Sequence, residues 1–243
     1  MRDMVTVAAT SSEGMSAAEL DAFIVRLPEP EQLRAAGMRL DSRRRSFVLG
    51  RILLRSAVAR LAGISPDDVV VRIEPSGRPV LAGSLSELFV SIAHSGPYVV
   101  VAVANRPVGV DVERVRQVAS FRQVAARVCS FQEMHVIARS SSATAERRFF
   151  GVWTRKEAYG KALGLGLDFP LRWVTVGRRV SVGEGRWGVH DPGVDPARVA
   201  AVVAQARGWR LRHVDVDPGY VAAVATQGRR WRVRLERLDR AAL

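Results

Sequence analysis

The sequence predicts an α+β fold built from two similar halves. Apolar residues recur with helical spacing at residues 41–61 and 146–163, whereas shorter valine-rich stretches bounded by turn residues are typical of antiparallel strands. Residues 96–104 also resemble residues 218–225, about half the chain away. Two strands rich in valine and alanine can be alike by chance. If the repeat is real, it indicates pseudo-twofold symmetry, with the active site in the cleft between the halves.

The predicted elements follow one another in a simple order. In the N-terminal half, a strand at residues 5–7 precedes a helix that begins at Ser16, with Glu19 completing a capping box. One or two further helices and then strands are expected at residues 29–62, 69–73, 89–92 and 98–104. The C-terminal half is expected to contain a strand at 108–112, helices at 119–128, 131–139 and 146–163, and short strands near 173–176, 179–182, 186–190, 209–216 and 220–225.

These elements divide the chain into three parts. We expect an N-terminal half at residues 1–107 and a C-terminal half at residues 108–226, the latter carrying most of the candidate chemistry. Residues 227–243 are rich in arginine, and we expect them to form a basic, partly mobile tail.

The composition excludes several classes of protein. Hydrophobic residues make up 48% of the 243 positions and charged residues 25%, which is typical of a globular chain and unlike a disordered one. No apolar run approaches the roughly 18 residues of a membrane span, and no signal-peptide core follows the first residues. Cys129 is the only cysteine, so an intramolecular disulfide and a cysteine metal cluster are excluded. We expect a soluble, cytoplasmic protein.

The charge indicates a polyanionic partner. Lysine and arginine together number 37 against 24 acidic residues, a formal net charge of +13, which suits nucleic acid, a phosphorylated small molecule or an acidic protein. Only two of the 37 are lysines, Lys156 and Lys161. An ammonium group acts as a compact point donor that a planar guanidinium cannot replace, so these two positions are candidates for chemistry.

Arginines also cluster on the predicted helix at residues 41–61. The helix carries Arg43, Arg44, Arg45, Arg51 and Arg55. They form either a solvated basic face or a phosphate-binding surface, and the pattern alone leaves both interpretations open.

Two carboxylates lie close together on a predicted strand. Asp111 and Glu113 are two residues apart, so both side chains point to one face of the strand. Their charges repel each other unless a cation lies between them, which favours a hard metal ion. The alternative is a solvated strand end beside Arg114 and Arg116.

A third carboxylate lies on the long helix at residues 146–163. Glu157 and Lys161 are four residues apart and share a helix face, as in an ordinary surface ion pair. An ion pair alone does not explain why the chain keeps lysine here, whereas a metal-binding carboxylate beside a phosphate-binding ammonium does. His94, followed by Ser95, lies in a tight turn, but the chain contains no G-x-S-x-G elbow, P-loop or dinucleotide fingerprint.

Together these segments resemble the 4′-phosphopantetheinyl transferase family, and within it the monomeric Sfp type. Residues 77–79 and 92–96 are similar to the first motif of the family, and residues 109–113 match the second. The third motif, a tryptophan followed by Lys-Glu and a second lysine, is matched at residues 153–161. The segments at 49–55 and 216–220 are also similar, so the resemblance extends over roughly residues 30–225.

The resemblance implies an activity and its cofactors. It implies transfer of the 4′-phosphopantetheine arm of coenzyme A to a serine of an acyl or peptidyl carrier protein, with release of adenosine 3′,5′-bisphosphate. The enzyme would be of the holo-[acyl-carrier-protein] synthase type, would use Mg²⁺ or Mn²⁺, and would act as a monomer. Fatty-acid, polyketide and nonribosomal peptide synthesis are the pathways that contain such carriers.

The resemblance also implies the site residues. Metal ligands would be Asp111, Glu113 and Glu157, with Glu157 and Lys161 as the catalytic pair and Glu157 as acceptor of the serine proton. Coenzyme A would be bound by Arg34, Arg45, Arg78, His94, Ser95, Lys156 and Lys161. Two positions depart from the family: Arg78 replaces the usual lysine and Ala93 a common serine.

Two other functions remain open from the sequence. A basic nucleic-acid-binding module without catalysis would use the net charge of +13, but it predicts aromatic residues interleaved with a basic stripe, and aromatic residues are only 7% of this chain. A transferase relative without activity is the other, and the intact set of Asp111, Glu113, Glu157 and Lys161 argues against it. We expect neither a specific nucleic-acid partner nor a membrane partner.

Overall fold

The two predicted halves are present in the structure, a computed structural model that describes residues 3–165, 171–177, 180–182, 197, 202, 204–206, 208–228 and 230–243. Helices and strands are mixed in both halves, which confirms the predicted fold class. Among the described residues, no helix is long and apolar enough to cross a membrane. The strand expected at residues 186–190 lies outside the described residues.

The N-terminal half places one long helix against a sheet. Its elements are β1 (Met4–Ser11), α1 (Ala17–Ile24), α2 (Glu29–Ala36), α3 (Asp41–Ala62), β2 (Val71–Ile73), β3 (Pro79–Leu81), β4 (Phe89–Ser95) and β5 (Tyr98–Ala104). The capping box predicted at the start of α1 is present, because Ser16 and Glu19 bond to each other's backbone amides at 3.1 and 2.9 Å. Strand β5 pairs with β1 and β4, and α3 packs over it.

The C-terminal half repeats this arrangement. It contains β6 (Val108–Arg114), α4 (Phe121–Val128), α5 (Phe131–Ala138), α6 (Ser142–Leu163), β7 (Val174–Val176), β8 (Val180–Val182), β9 (Trp209–Val214), β10 (Tyr220–Gln227) and β11 (Arg232–Arg237). Strand β10 lies between β6 and β9, and α6 packs on β6 and β10. A buried core of valines and alanines joins the two sheets.

The internal repeat corresponds to equivalent elements. The two similar segments form β5 and β10, and each is an inner strand of its sheet beneath a helix of 22 residues. Both long helices end at a glycine in the left-handed conformation, Gly63 at φ 70° and Gly164 at φ 73°. Tyr98 and Tyr220 begin the two strands, and their ring centroids lie 4.8 Å apart. The aromatic residues of the repeat therefore meet where the halves join.

A glycine of the second motif determines how closely α6 approaches its sheet. A Cβ at Gly109 would overlap the carbonyl oxygen of Ala158 on α6 and crowd the amide of Ala162. Only glycine allows this approach of helix to strand. The same motif that carries the two carboxylates thus holds α6, and Glu157 with it, against β6.

The C-terminal segment differs from the prediction of a partly mobile tail. Strand β11 pairs in parallel with β1, with Val5 opposite Val233, and Leu238 donates its amide to the carbonyl of Ala9. The physical reason is an alternation that the arginines obscure in the sequence: Val233 and Leu235 are half-buried, while Arg232 and Arg234 are exposed. The sheet of the N-terminal half is therefore completed by the C-terminal end of the chain. The division at residues 107 and 108 stays a prediction.

Candidate active site

Three carboxylates and a lysine meet between β6 and α6. Strand alternation buries Val110 and Val112 and directs Asp111 and Glu113 to the opposite face. Asp111 is only 6% exposed, and its Oδ1 accepts a hydrogen bond of 2.7 Å from Nζ of Lys161. Its Oδ2 is buried and has no hydrogen-bond partner among the described residues. Burial raises the pKa of Asp111 to about 6, with Lys161 opposing the shift and Glu157 and Glu113 adding to it.

Glu113 is held by a residue of the other half. Its Oε2 accepts a hydrogen bond of 2.7 Å from Oγ of Ser95 on β4 and one of 3.1 Å from Arg116. Ser95 Oγ in turn accepts the amide of Arg114 at 3.1 Å, and Ser91, four residues earlier, accepts the amide of Val110 at 3.1 Å. Two serines of β4 therefore fix β6 and its carboxylates against the N-terminal sheet.

Glu157 completes the acidic group from the helix side. It is half-buried, and burial raises its pKa, with Lys161 opposing and Glu113 adding to the shift. A carboxylate with a raised pKa is a better proton acceptor near neutral pH than an ordinary surface glutamate. Lys161, whose side chain is 31% exposed, balances part of the local negative charge.

A basic cleft with a volume of about 870 Å³ opens next to this group. Four arginines line it, together with His94 and the ring of Phe47; they are Arg34, Arg39, Arg43 and Arg51. The guanidinium carbons of Arg34 and Arg51 lie 5.2 and 5.3 Å from the centroid of Phe47. Partial desolvation lowers the pKa of His94, as do the charges of Lys161 and Arg43, while Glu113 opposes. His94 thus lies between the cations of the cleft and the carboxylates.

Arg51 is held in place by an ion pair but has a buried donor atom that is not used within the described residues. It is 7% exposed, and Glu31 on α2 holds it, with 3.5 Å between Arg51 Nε and Glu31 Oε1. Arg55 uses the other oxygen of Glu31 at 2.9 Å. Arg51 Nη1 is nevertheless buried without a hydrogen-bond partner in the described part of the chain. A buried donor of this kind is costly unless an acceptor occupies the cleft.

Comparison with known proteins identifies the family to which the chain is similar. Residues 107–191 match the family model of the 4′-phosphopantetheinyl transferase superfamily, and residues 15–106 match the model of a 4′-phosphopantetheinyl transferase N-terminal region. The chain belongs to the 4′-phosphopantetheinyl transferase superfamily. The two matched regions adjoin at residues 106 and 107, in the turn between β5 and β6.

Relatives in the superfamily are similar over part of their length. The transferase psf-1 of Bacillus pumilus is 30% identical over 54% of this chain and 54% of its own. HetI of Nostoc sp. is 30% identical over 61% of this chain and 64% of its own, and Sfp of Bacillus subtilis is 27% identical over 51% and 54%. The chain therefore matches between about half and two thirds of the length of these curated relatives.

Most, but not all, of the site residues predicted from the sequence lie at or beside this site. Asp111, Glu113, Glu157 and Lys161 come together, with His94 beside them. Ser95 is adjacent, and its hydroxyl proton is donated to Glu113 at 2.7 Å, so this proton is not free for a phosphate oxygen. Arg34 lines the cleft. Arg78 lies at the end of α6, with Nη1 close beside Gly164.

Lys156 is a correction to the prediction. Its side chain is 0% exposed, and its ammonium lies 2.7 Å from Glu133 and donates to the carbonyls of Val128 and Leu171 at 2.8 and 2.6 Å. All three protons are used inside the C-terminal half, so none is available to coenzyme A. Lys156 and Lys161 are five residues apart on α6, so their side chains point in directions about 140° apart around the helix axis. The two lysines therefore face different surroundings.

Arg45 is a second correction. Its guanidinium is held by Asp41 and donates to the carbonyl of Met15, and it does not line the cleft. The cleft-facing positions of α3 have the spacing of one helix face: Arg43, Ser46, Phe47, Gly50 and Arg51. Position 45 lies about 200° from position 43 on that helix.

Three cleft arginines were not identified as individual ligands from the sequence, namely Arg39, Arg43 and Arg51. Gly50 is the sequence feature that could have indicated this face of α3. A glycine inside a helix lowers helix stability, so its presence there indicates close packing against another element. A Cβ at Gly50 would lie 3.2 Å from Cγ2 of Ile92 on β4. This face of α3 therefore forms the floor of the cleft, and its arginines form one wall.

The three carboxylates suit a hard divalent cation. Mg²⁺ and Mn²⁺ prefer oxygen ligands. The buried Oδ2 of Asp111, which has no hydrogen-bond partner among the described residues, is an oxygen that could ligate such an ion. As they stand, no three histidine, cysteine, aspartate or glutamate side chains in the described ranges are gathered as a formed metal site. Lys161 lies against Asp111 instead. Asp111, Glu113 and Glu157 remain the proposed ligands.

Proposed function

We propose that this protein transfers the 4′-phosphopantetheine arm of coenzyme A to a serine of an apo carrier protein and releases adenosine 3′,5′-bisphosphate. The observation that carries the proposal is the grouping of three carboxylates and a lysine beside His94, which itself lines a cleft with four arginines; the grouped residues are Asp111, Glu113, Glu157 and Lys161. Such a site has a basic part for a polyanionic donor and an acidic part for a metal ion and a proton. Membership of the transferase superfamily supports it.

The cleft suits coenzyme A by charge. Coenzyme A carries a pyrophosphate and a separate 3′-phosphate, and the cleft offers Arg34, Arg39, Arg43 and Arg51 along one wall. Guanidinium groups bind phosphate oxygens through paired hydrogen bonds, and the unpartnered Nη1 of Arg51 is a donor for one of them. His94 and Lys161 then face the pyrophosphate at the acidic end of the cleft.

The proposed chemistry needs one proton acceptor and charge stabilisation. The serine oxygen of the carrier attacks the pantetheine-bearing phosphorus, and the bond from that phosphorus to the bridging oxygen breaks. The bridging oxygen leaves with adenosine 3′,5′-bisphosphate, and the serine proton passes to the carboxylate of Glu157. Lys161 and His94 stabilise the charge that develops on the phosphate oxygens. Ser95 keeps Glu113 in place through its 2.7 Å hydrogen bond.

A divalent ion is part of the proposal. Asp111, Glu113 and Glu157 would hold Mg²⁺, or Mn²⁺, which when bound neutralises pyrophosphate charge and polarises the phosphorus. The raised pKa of Asp111 agrees with a site that is costly to ionise without a cation.

The partner is a carrier protein, and the chain's net charge of +13 suits an acidic one. Relatives carry the names of transferases of the Sfp kind, and one from Xenopus laevis is named for L-aminoadipate-semialdehyde dehydrogenase. These names fit the Sfp type better than the holo-[acyl-carrier-protein] synthase subtype. We propose a monomer that acts in the cytoplasm.

Mass spectrometry tests the proposal directly. Purified protein is incubated with coenzyme A, Mg²⁺ and a panel of apo carrier domains, with a parallel series in which the carrier serine is alanine. A mass gain equal to the phosphopantetheine arm on the serine carriers only is the expected result. No gain on any carrier, together with tight, salt-dependent retention on DNA, would instead support a nucleic-acid-binding module, because the transferase should bind DNA only weakly.

A further inference from the structure

A second pocket lies on the opposite side of α6 from the candidate active site. It has a volume of about 630 Å³ and is bordered by residues of α5, α6, β7, β9 and β10. Helix α6 contributes residues 144, 147, 148, 151, 152 and 155, the spacing of a single helix face. Glu157 follows Arg155 by two residues, or about 200° around the helix axis, so the candidate active site and this pocket lie on different faces of α6.

The walls of this pocket are apolar, and its charges are positive. Val136, Ile137, Val152 and Val176 are among the residues that line it. Three arginines line it as well, and Glu133 is the single carboxylate among the lining residues that the structure describes. Glu133 is already neutralised, because its Oε2 lies 2.7 Å from Nζ of Lys156. The pocket therefore has excess positive charge beside an apolar surface.

Only one of the three pocket arginines lacks a hydrogen-bond partner among the described residues. Arg147 donates to the carbonyl of Pro218 at 3.1 Å, and Arg148 donates to Ser140 Oγ at 2.7 Å. Arg155 has no such bond, and its Nε is buried without a partner. A guanidinium group with an unpaired buried donor is costly to keep in a protein, and an anion in the pocket would remove that cost.

We propose that this pocket binds a small amphipathic anion, with its carboxylate or phosphate group on Arg155 and its apolar tail against the valine-rich wall. Both head groups accept two hydrogen bonds from a guanidinium group, which is why either can serve. The tail would bury apolar surface that the pocket now leaves to water. This site is separate from the cleft, and the proposal does not rest on the proposed transferase reaction.

Calorimetric titration with four probes tests the site: octanoate, octyl phosphate, octanol and inorganic phosphate. We expect octanoate or octyl phosphate to bind at least ~10-fold more tightly than octanol and inorganic phosphate, because only these two combine charge and tail. Their ranking identifies the preferred head group. The proposal is overturned if neither octanoate nor octyl phosphate binds more tightly than octanol, or if the tighter of the two anions competes with coenzyme A.

Variants locate the site. Arg155→Met should weaken binding of the tighter anion at least ~10-fold, while Arg122→Met, an exposed arginine on α4, should leave it unchanged. Val136→Glu supplies a second test that does not depend on the first variant folding, because Val136 is 53% exposed and its replacement adds a competing carboxylate at the rim. Val136→Glu should also weaken binding at least ~10-fold. Unchanged affinity in Val136→Glu, or equal losses in both arginine variants, would contradict the proposal.

Discussion

Two lysines five residues apart on α6 each form an ion pair with a carboxylate, and the two pairs have the same nitrogen–oxygen distance. Lys156 Nζ lies 2.7 Å from Glu133, and Lys161 Nζ lies 2.7 Å from Asp111. Their surroundings differ. Lys156 is 0% exposed and Glu133 also accepts the amides of Ser130 and Val176, whereas Oδ2 of Asp111 has no hydrogen-bond partner in the part of the chain that is described. The first pair is complete in the protein, and the second needs a ligand.

This difference shows that distance alone does not identify a functional ion pair. A closed pair whose donors and acceptors are all used contributes to the structure of the C-terminal half. An open pair at the end of a basic cleft retains the capacity to bind. Variants of the two pairs should therefore differ in stability and in activity.

Lys156→Met removes one partner of the closed pair and should lower the free energy of unfolding by about 3–5 kcal/mol, because Glu133 remains buried without its cation. Chemical denaturation measures this loss. Lys161→Met is the matched control, and we expect it to cost much less stability because its side chain is 31% exposed. Equal losses in the two variants would remove the distinction between the pairs.

Asp111→Asn changes the open pair and should lower kcat/KM for carrier modification at least ~100-fold while the fold stays intact. The carboxylate is proposed as a metal ligand, and an amide is a poor one. Steady-state assays with coenzyme A and an apo carrier measure the loss, with Asp215→Asn as the control because Asp215 is 93% exposed. Retained activity in Asp111→Asn would contradict the proposed role.

The stability of the protein relative to Asp111→Asn should depend on pH. The pKa of Asp111 is raised from 3.8 to about 6, so the folded protein holds this proton more tightly than the unfolded chain does. The contribution of this carboxyl to stability is therefore greatest below pH 3.8 and is lost as the pH rises towards about 6. The unfolding free energy of the metal-free protein, relative to Asp111→Asn, should fall over this range. A rise over the same range would indicate that Lys161 dominates over burial.

Lys161→Arg keeps the charge of the open pair but replaces a point donor with a planar fork. We expect a loss of at least ~10-fold in kcat/KM, or about 1.4 kcal/mol of transition-state stabilisation, with little change in melting temperature. An ordinary surface ion pair would tolerate this change. Wild-type kinetics in Lys161→Arg would show that the ammonium has no special role.

Ser95→Ala tests whether Ser95 holds Glu113 in place beside the open pair, and it should have the smallest effect on kcat/KM. The variant removes the 2.7 Å hydrogen bond to Glu113, and we expect kcat/KM to fall about 3- to 10-fold. Ser95→Thr keeps the hydroxyl and should recover part of the activity. If the loss is positional, kcat should fall while the KM for coenzyme A changes little; an equal rise in KM would indicate direct contact with the substrate.

Much of the site could be predicted because short-range geometry determines it. Residues two apart on a strand share a face, and residues four apart on a helix do too, so the grouping of Asp111 with Glu113 and of Glu157 with Lys161 followed from spacing. The same periodicity separates Lys156 from Lys161, although their shared residue type suggested a shared role. The C-terminal strand was missed because its arginines hid the alternation of Val233 and Leu235.

The sequence by itself determined the fold class, the internal repeat and the two motifs that carry the carboxylates, because these depend on local periodicity and on neighbours along the chain. Only the tertiary structure decided which charged groups are enclosed and which remain open. Asp111 meets Lys161 across 50 positions, and Glu113 meets Ser95 across 18. Burial and desolvation arise where distant elements pack together, and they decide whether an ion pair is already satisfied or still able to bind.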